Sequence, residues 1–287
     1  MGVMCTWESE KTEMEAFCRK LVVAAGKDDE GGRNHHLVSY YEDGDEKGTW
    51  LCVTSGVSYV GLALVNHLLQ LGYSLRITVE NPEEMEKVKE IEKTAEGKLE
   101  AIMAKLTDID GLEKAFQGCG GVFHTSAFTD PAGLSGYTNV MEACARTASI
   151  KRCVFTSSLA ACVWQDTAQS DHTPVINHGS WSSESFCIEK KLWYALGKMR
   201  AEKAAWRIAI ERGFTTICPA LITRPQFCHR NPTATIAYLK GGQEMYSLGL
   251  LVTVDVTKLA EAHASVLKAM NSNASGRYIC FDKVIDS

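Results

Sequence analysis

The chain has 287 residues, 45% of them hydrophobic, and a formal net charge of −5. That length suffices for one large core or two unequal ones. The acidic balance and the lack of a long basic run argue against a nucleic-acid or anionic-membrane partner.

No stretch approaches the roughly 18 apolar residues of a membrane span; the best candidate, residues 61–71, is broken by Asn66, His67 and Gln70. The first residues, with Glu8, Glu10, Glu13 and Glu15, lack a signal peptide's layout. Eleven cysteines form no Cys-x-x-Cys pair, and Cys52, Cys153, Cys162 and Cys218 lie in apolar segments. They read as reduced core thiols of a cytoplasmic protein, with no zinc site.

Residues 1–47 read as a mobile or loosely docked leader, because their Gly-, Asp-, Glu-, Lys- and His-rich composition rarely supports a core. Order begins at Thr49. Residues 50–54 form an apolar strand, 55–61 a turn, 62–71 a helix stopped by Gly72, and 73–79 a second strand. In such a βαβ unit a dinucleotide fold carries its glycine fingerprint. A charged helix (82–93), a strand (99–104), a helix (109–116) and a strand (121–124) follow. A crossover with a helical part at 140–148 then leads to a strand, 151–156, ending in Ser157-Ser158. Strands alternating with helices imply an α/β fold, a doubly wound parallel sheet of Rossmann type, over residues 48–224.

A long helix is expected over residues 190–212, since Ala, Leu, Met, Lys and Glu dominate and Gly213 ends it. Tyr194 and Lys198 lie four residues apart and share one face. An ammonium beside a phenol should pull the tyrosine pKa below its usual value of about 10. Taken alone, the spacing also fits an ordinary amphipathic face. A sixth strand at 214–217 leads into Pro219-Ala220-Leu221-Ile222. Residues 225–250, rich in Pro and Gly, read as a looped substrate-region insertion. The strand at 252–256, the helix at 257–270 and the strand at 277–281 read as a return to the main sheet within 251–287.

Six ordered motifs carry a resemblance across residues 49–282. They are Val53-Thr54…Tyr59-Val60-Gly61, Gly121-Val122-Phe123-His124, Val154-Phe155-Thr156-Ser157-Ser158, Trp181-Ser182…Glu184-Ser185-Phe186-Cys187, Leu192-Trp193-Tyr194-Ala195-Leu196-Gly197-Lys198 and Ser275-Gly276-Arg277-Tyr278-Ile279-Cys280. With them the chain resembles the extended short-chain dehydrogenase/reductases of the plant dihydroflavonol 4-reductase and cinnamoyl-CoA reductase group, most of all the cinnamoyl-CoA reductase-like branch. The resemblance implies hydride transfer to a carbonyl with a catalytic set of Ser158, Tyr194 and Lys198. Ser158 would hydrogen-bond the carbonyl oxygen, Tyr194 would protonate it, and Lys198 would bind the nicotinamide ribose.

It also implies NADPH as cofactor, held by Ser55, Gly56, Ser58, Tyr59, Val60, Gly61, Glu80, Lys87, Leu106, Ser126, Ala127, Tyr194, Lys198, Pro219, Leu221 and Ile222. Departures from the family pattern fall in this set. Serines stand at 55 and 58 in place of glycine, leaving Gly61 in register, and a Cβ at Ser58 is expected to crowd the pyrophosphate. Glu80 replaces the arginine that meets a 2′-phosphate, which favours NADH, although Lys87 is kept and Arg76 is close in sequence. Lys105 replaces an acidic residue.

The crossover after Tyr137 looks short, and the chain ends soon after Phe281, as a truncated or spliced product would. The expected substrate is a small phenylpropanoid or flavonoid-type carbonyl or an aryl acyl-CoA thioester. The alternative is a catalytically weak binding or regulatory protein. Shortening should expose apolar surface around Ile236, Tyr238 and Leu239, which a protein partner could cover.

Overall fold

The computed structural model describes residues 49–93, 95–125, 134–165, 175–209, 213–223 and 232–285. The expected leader and the candidate residues Ser126 and Ala127 lie outside them.

Seven parallel strands make the main sheet: β1 (Trp50–Thr54), β2 (Ser74–Val79), β3 (Leu99–Met103), β4 (Cys119–His124), β5 (Arg152–Thr156), β6 (Gly213–Pro219) and β9 (Gly276–Cys280), in the order β3-β2-β1-β4-β5-β6-β9. The central strands are apolar on both faces because both are covered. Along β1, Leu51 and Val53 enter one core and Cys52 the other, and β4 and β5 divide Phe123 and Val154 from Val122, Cys153 and Phe155 in the same way.

One face carries α1 (Tyr59–Gln70), which packs against the late helix α10 (Val256–Ala269). The other carries α3 (Ile109–Phe116), α4 (Leu134–Arg146) and α7 (Trp193–Ile208), packed in series. Between these come α2 (Pro82–Glu92), a short α5 (Ala160–Val163) and α6 (Glu184–Glu189). The strand order reverses between β1 and β4, the switch point where open α/β sheets bind ligands beyond the strands' C-terminal ends. Because all six pairings are parallel, the residues following β1, β2, β4, β5 and β6 converge on that one edge.

Several expected elements differ. The long helix starts at Trp193, not 190, because Lys191 takes a left-handed φ of 55° and Leu192 N–H turns back to the Cys187 carbonyl at 2.8 Å. The segment expected to be looped carries two helices, α8 (Pro232–Leu239) and α9 (Gly242–Ser247), with Gly241 in the left-handed conformation between them. The strand expected to return to the main sheet, β8 (Val252–Asp255), instead pairs with β7 (Leu221–Thr223) and antiparallel β10 (Lys283–Val284) in a second, three-stranded sheet. Among the described residues after 251, only β9 rejoins the main sheet. Tyr238 and Leu239, expected on an uncovered apolar surface, are buried in the larger core with Leu221 and Met245. The partner expected to cover them loses its stated basis.

Candidate active site

The nucleotide corner is built from the turn after β1. Ser55 occupies the left-handed region at φ 56°, stabilised by Ser58 N–H donating to its carbonyl at 2.9 Å. A Cβ on Gly61 would come within 2.4 Å of the Ser55 carbonyl oxygen and 2.8 Å of Gly56 Cα. Only glycine therefore lets α1 approach the turn this closely. A Cβ on Gly56 would meet the Ile77 side chain at 2.5 Å. Ser58 is the N-cap of α1, and its Oγ accepts from Gly61 N–H at 3.1 Å. It thus occupies one of the helix-start donors a bound anion would use. Tyr59 and Val60 open the helix, half-buried.

Glu80 is exposed at the tip of β2, where its carboxylate accepts from Leu106 N–H at 3.4 Å. Leu106 is buried, and its carbonyl accepts from the Asn139 amide at 3.1 Å. Lys87 pairs with Glu83 at 3.2 Å on the solvent face of α2. Arg76 does not help at this corner. Its guanidinium pairs with Glu100, donates to the Ala115 and Gln117 carbonyls at 2.7 Å, and lies over the Trp50 ring. Lys105 is an exposed surface charge. Under the other end of the edge, the Pro219 carbonyl accepts from Leu159 N–H at 2.8 Å, while Leu221 is buried and Ile222 half-buried.

The candidate catalytic corner lies at the ends of β5 and β6. Ser158 is buried where β5 gives way to α5; its Oγ accepts from Ala160 N–H at 3.2 Å, and its hydroxyl acts on the Tyr194 phenol. Tyr194 is half-buried, edge-on to the Tyr238 ring at 6.1 Å. Lys198, one turn further along α7, is buried and donates to the Thr156 carbonyl at 3.4 Å.

The expected electrostatics are reversed at the tyrosine. Burial raises the Tyr194 pKa above its ordinary value, and the Ser158 hydroxyl opposes it. The lysine shows the reciprocal effect: burial lowers its pKa to about 8, against the pull of Glu202 and Cys218. Nearby, His124 Nδ1 lies 2.6 Å from Thr54 Oγ1, and burial, with the Lys198 charge, pushes the imidazole pKa down to about 3. It is neutral at physiological pH.

Sequence reasoning missed the groups beneath this corner. Glu202, wholly buried, accepts from Ser157 Oγ at 2.7 Å and from Arg277 Nε at 2.7 Å. The available signal was positional, since Glu202 follows Lys198 by four residues and so extends the same face.

A parallel sheet whose first βα turn packs on an obligatory glycine is a dinucleotide-binding architecture. Residues 57–204 match a family of NAD(P)H-binding domains. A cinnamoyl-CoA reductase of Petunia hybrida is 36% identical over 83% of this chain and 74% of its own length. Anthocyanidin reductase of Arabidopsis thaliana is 33% identical over 80% of this chain and 74% of its own. Among solved structures, vestitone reductase from alfalfa (Medicago sativa) superposes with a TM-score of 0.66 at 24% identity, covering 83% of this chain and 78% of that one, which shows the shared fold. The chain belongs to the cinnamoyl-CoA reductase and dihydroflavonol 4-reductase family of NAD(P)H-dependent oxidoreductases. No described helix is long and apolar enough to cross a membrane.

Proposed function

We propose that the protein reduces a phenylpropanoid or flavonoid-type carbonyl, or an aryl acyl-CoA thioester, in the cytoplasm, with Ser158, Tyr194 and Lys198 as its catalytic set. The carrying observation is the convergence of the buried Ser158 hydroxyl, at the end of β5, with Tyr194 and Lys198, one turn apart on α7, at the ligand-binding edge. The buried free thiols suit a reducing compartment.

The residues present fit a dinucleotide, because the close approach of Gly61 to Ser55 and Gly56 forms the tight turn a pyrophosphate needs. Ser55 to Gly61 would hold the pyrophosphate, and Glu80 would accept from ribose hydroxyls, which favours NADH over NADPH. When bound, the dihydronicotinamide supplies a hydride to the substrate carbonyl carbon. Ser158 donates to the carbonyl oxygen and orients it. Tyr194 keeps its proton at neutral pH, because burial holds its pKa up, and gives that proton to the oxygen as negative charge develops. Lys198, protonated below about pH 8, holds a ribose hydroxyl and the charge balance of the pocket.

A second reading, a binding or regulatory protein with little turnover, draws support from Ser55 in its left-handed conformation and Ser58 in its capping role. The discriminating experiment incubates the full chain with NADH or NADPH and a panel including cinnamoyl-CoA and a dihydroflavonol. Cofactor oxidation matched by a reduced product is expected. Tight cofactor binding without turnover on any carbonyl would favour the second reading.

A further inference from the structure

Beneath the catalytic corner lies a buried ionic cluster whose members come from four elements. Glu202 on α7 is wholly buried and one turn beyond Lys198. Its Oε2 accepts from Ser157 Oγ at 2.7 Å, and Ser157 is the residue before Ser158. Its Oε1 accepts from Arg277 Nε at 2.7 Å, with Arg277 Nη2 reaching Oε2 at 3.3 Å. The Cys218 thiol on β6 donates weakly to both oxygens. Arg277, on β9 at the far edge of the main sheet, is held in turn. Its Nη1 donates to the His178 carbonyl at 3.0 Å and to that of Ser180, its plane lies 3.6 Å from the centre of the Trp181 ring, and its Nη2 meets Cys162 Sγ at 3.1 Å.

A buried ion pair is a poor stabiliser: desolvation consumes most of the attraction, and well-packed apolar side chains often do as well. The place of this pair suggests another use. Through Ser157 the carboxylate ties α7, which bears Tyr194 and Lys198, to the end of β5, which bears Ser158. Through four residues of helix it faces the Lys198 ammonium.

We propose that Glu202 is a positioning residue for the reductase site, tethering the Ser158 strand end to α7 and keeping Lys198 charged, while Arg277 limits how much of the carboxylate's charge the lysine feels. The proposal rests on Ser158, Tyr194 and Lys198 being the catalytic set. Around Lys198 and Glu202 the titratable groups are His124 on β4, Cys162 on α5, Cys187 on α6, Cys218 on β6, Tyr238 on α8 and Arg277 on β9. His124 is neutral above about pH 3, burial raises Cys187 and Tyr238, and the Cys162 thiol followed by burial raises Cys218, so none of these takes up charge near neutrality. Cys162 alone shifts down, through the Cys218 thiol and Arg277. The α4 helix adds Val140, Met141, Ala143 and the Cys144 thiol to the core shared with Ala201 and Ala205. Glu202 therefore supplies the main pull against the burial of Lys198, and Arg277 is the cation paired with that carboxylate.

The test follows the Lys198 side chain by NMR in full-length protein carrying isotope-labelled lysine, its signal assigned with Lys198→Met. In the unsubstituted protein the midpoint is expected near 8. Glu202→Gln should lower it by about half a pH unit or more, because the favourable charge is gone and Arg277 remains. Arg277→Gln should raise it. A purely structural role would move neither midpoint, or move both the same way, and either result overturns the proposal. If a single variant does not fold, Glu202→Gln/Arg277→Gln leaves no unpaired buried charge and should give a smaller downward shift. An unmoved midpoint in that double variant is equally fatal. The tether is tested by Ser157→Ala, expected to lower kcat about tenfold with the Lys198 midpoint unchanged; full kcat removes that half of the proposal. Tyr194→Phe in the same turnover assay keeps the two readings apart, since retained activity there would sink the catalytic set while leaving the NMR shifts standing.

Discussion

The two corners of the ligand-binding edge are made in opposite ways. At the proposed catalytic corner, Ser158 and Lys198 are buried, Tyr194 is half-buried, and each is held by groups from other elements, with Glu202 and Arg277 closing the network underneath. At the nucleotide corner most contacts are local: Ser58 caps its own helix, Glu84 accepts from Glu80 N–H four residues away, and Lys87 pairs with Glu83 on the same helix, while the Glu80 carboxylate alone reaches across to Leu106 N–H. Burial gives the first corner shifted pKa values and a fixed geometry. Exposure leaves the second open to water, so its fitness for a cofactor turns on individual side chains. One edge can therefore keep its chemistry while its nucleotide preference changes.

The largest effect is expected at the buried corner. Tyr194→Phe retains the ring and its packing on Tyr238 but removes the donated proton, so turnover should fall at least about a hundredfold while cofactor affinity stays within about twofold. Steady-state kinetics beside a fluorescence titration separates the two quantities. Comparable turnover in the variant would reduce that corner to a packing motif.

At the exposed corner a single charge should matter less. A carboxylate about 4 Å from a phosphate is repelled by roughly 1 kcal/mol in water and more like 4 at a protein surface. With Arg76 committed to Glu100 and two carbonyls, no cation from β2 offsets this. Glu80→Arg should tighten NADPH about tenfold, or about 1.4 kcal/mol, and weaken NADH. An unchanged ratio of the two dissociation constants would show that the 2′-position is read elsewhere.

The smallest effect concerns the turn itself. A left-handed serine costs on the order of 1 kcal/mol, which glycine avoids. Ser55→Gly with Ser58→Gly should tighten NADH and NADPH alike, about threefold each, because the pyrophosphate is common to both. Calorimetric titration gives both constants. Tightening of one cofactor alone would mean that the turn is not a pyrophosphate site, and a chain carrying these changes with Glu80→Arg that still binds neither would leave the binding-protein reading in possession.

What the sequence determined by itself was local and periodic. Apolar runs such as Trp50–Thr54 and Arg152–Thr156 announce strands covered on both faces, Ile109–Phe116 announces its helix by its boundaries, and the four-residue spacing of Tyr194 and Lys198 puts them on one face. What only the tertiary structure decided depends on burial and on partners far along the chain. The direction of the Tyr194 shift follows from desolvation, which no spacing reveals, and it opposes what an adjacent ammonium suggests. Arg76 is claimed by Glu100 and by carbonyls near residue 117, and Glu202 by an arginine 75 positions away. The helices of residues 232–247 form where Pro- and Gly-rich composition predicts a loop, because Tyr238, Leu239 and Met245 gain burial against the core beside β7. Local periodicity carries the order of elements; charge, pairing and burial are set only when distant segments displace the water between them.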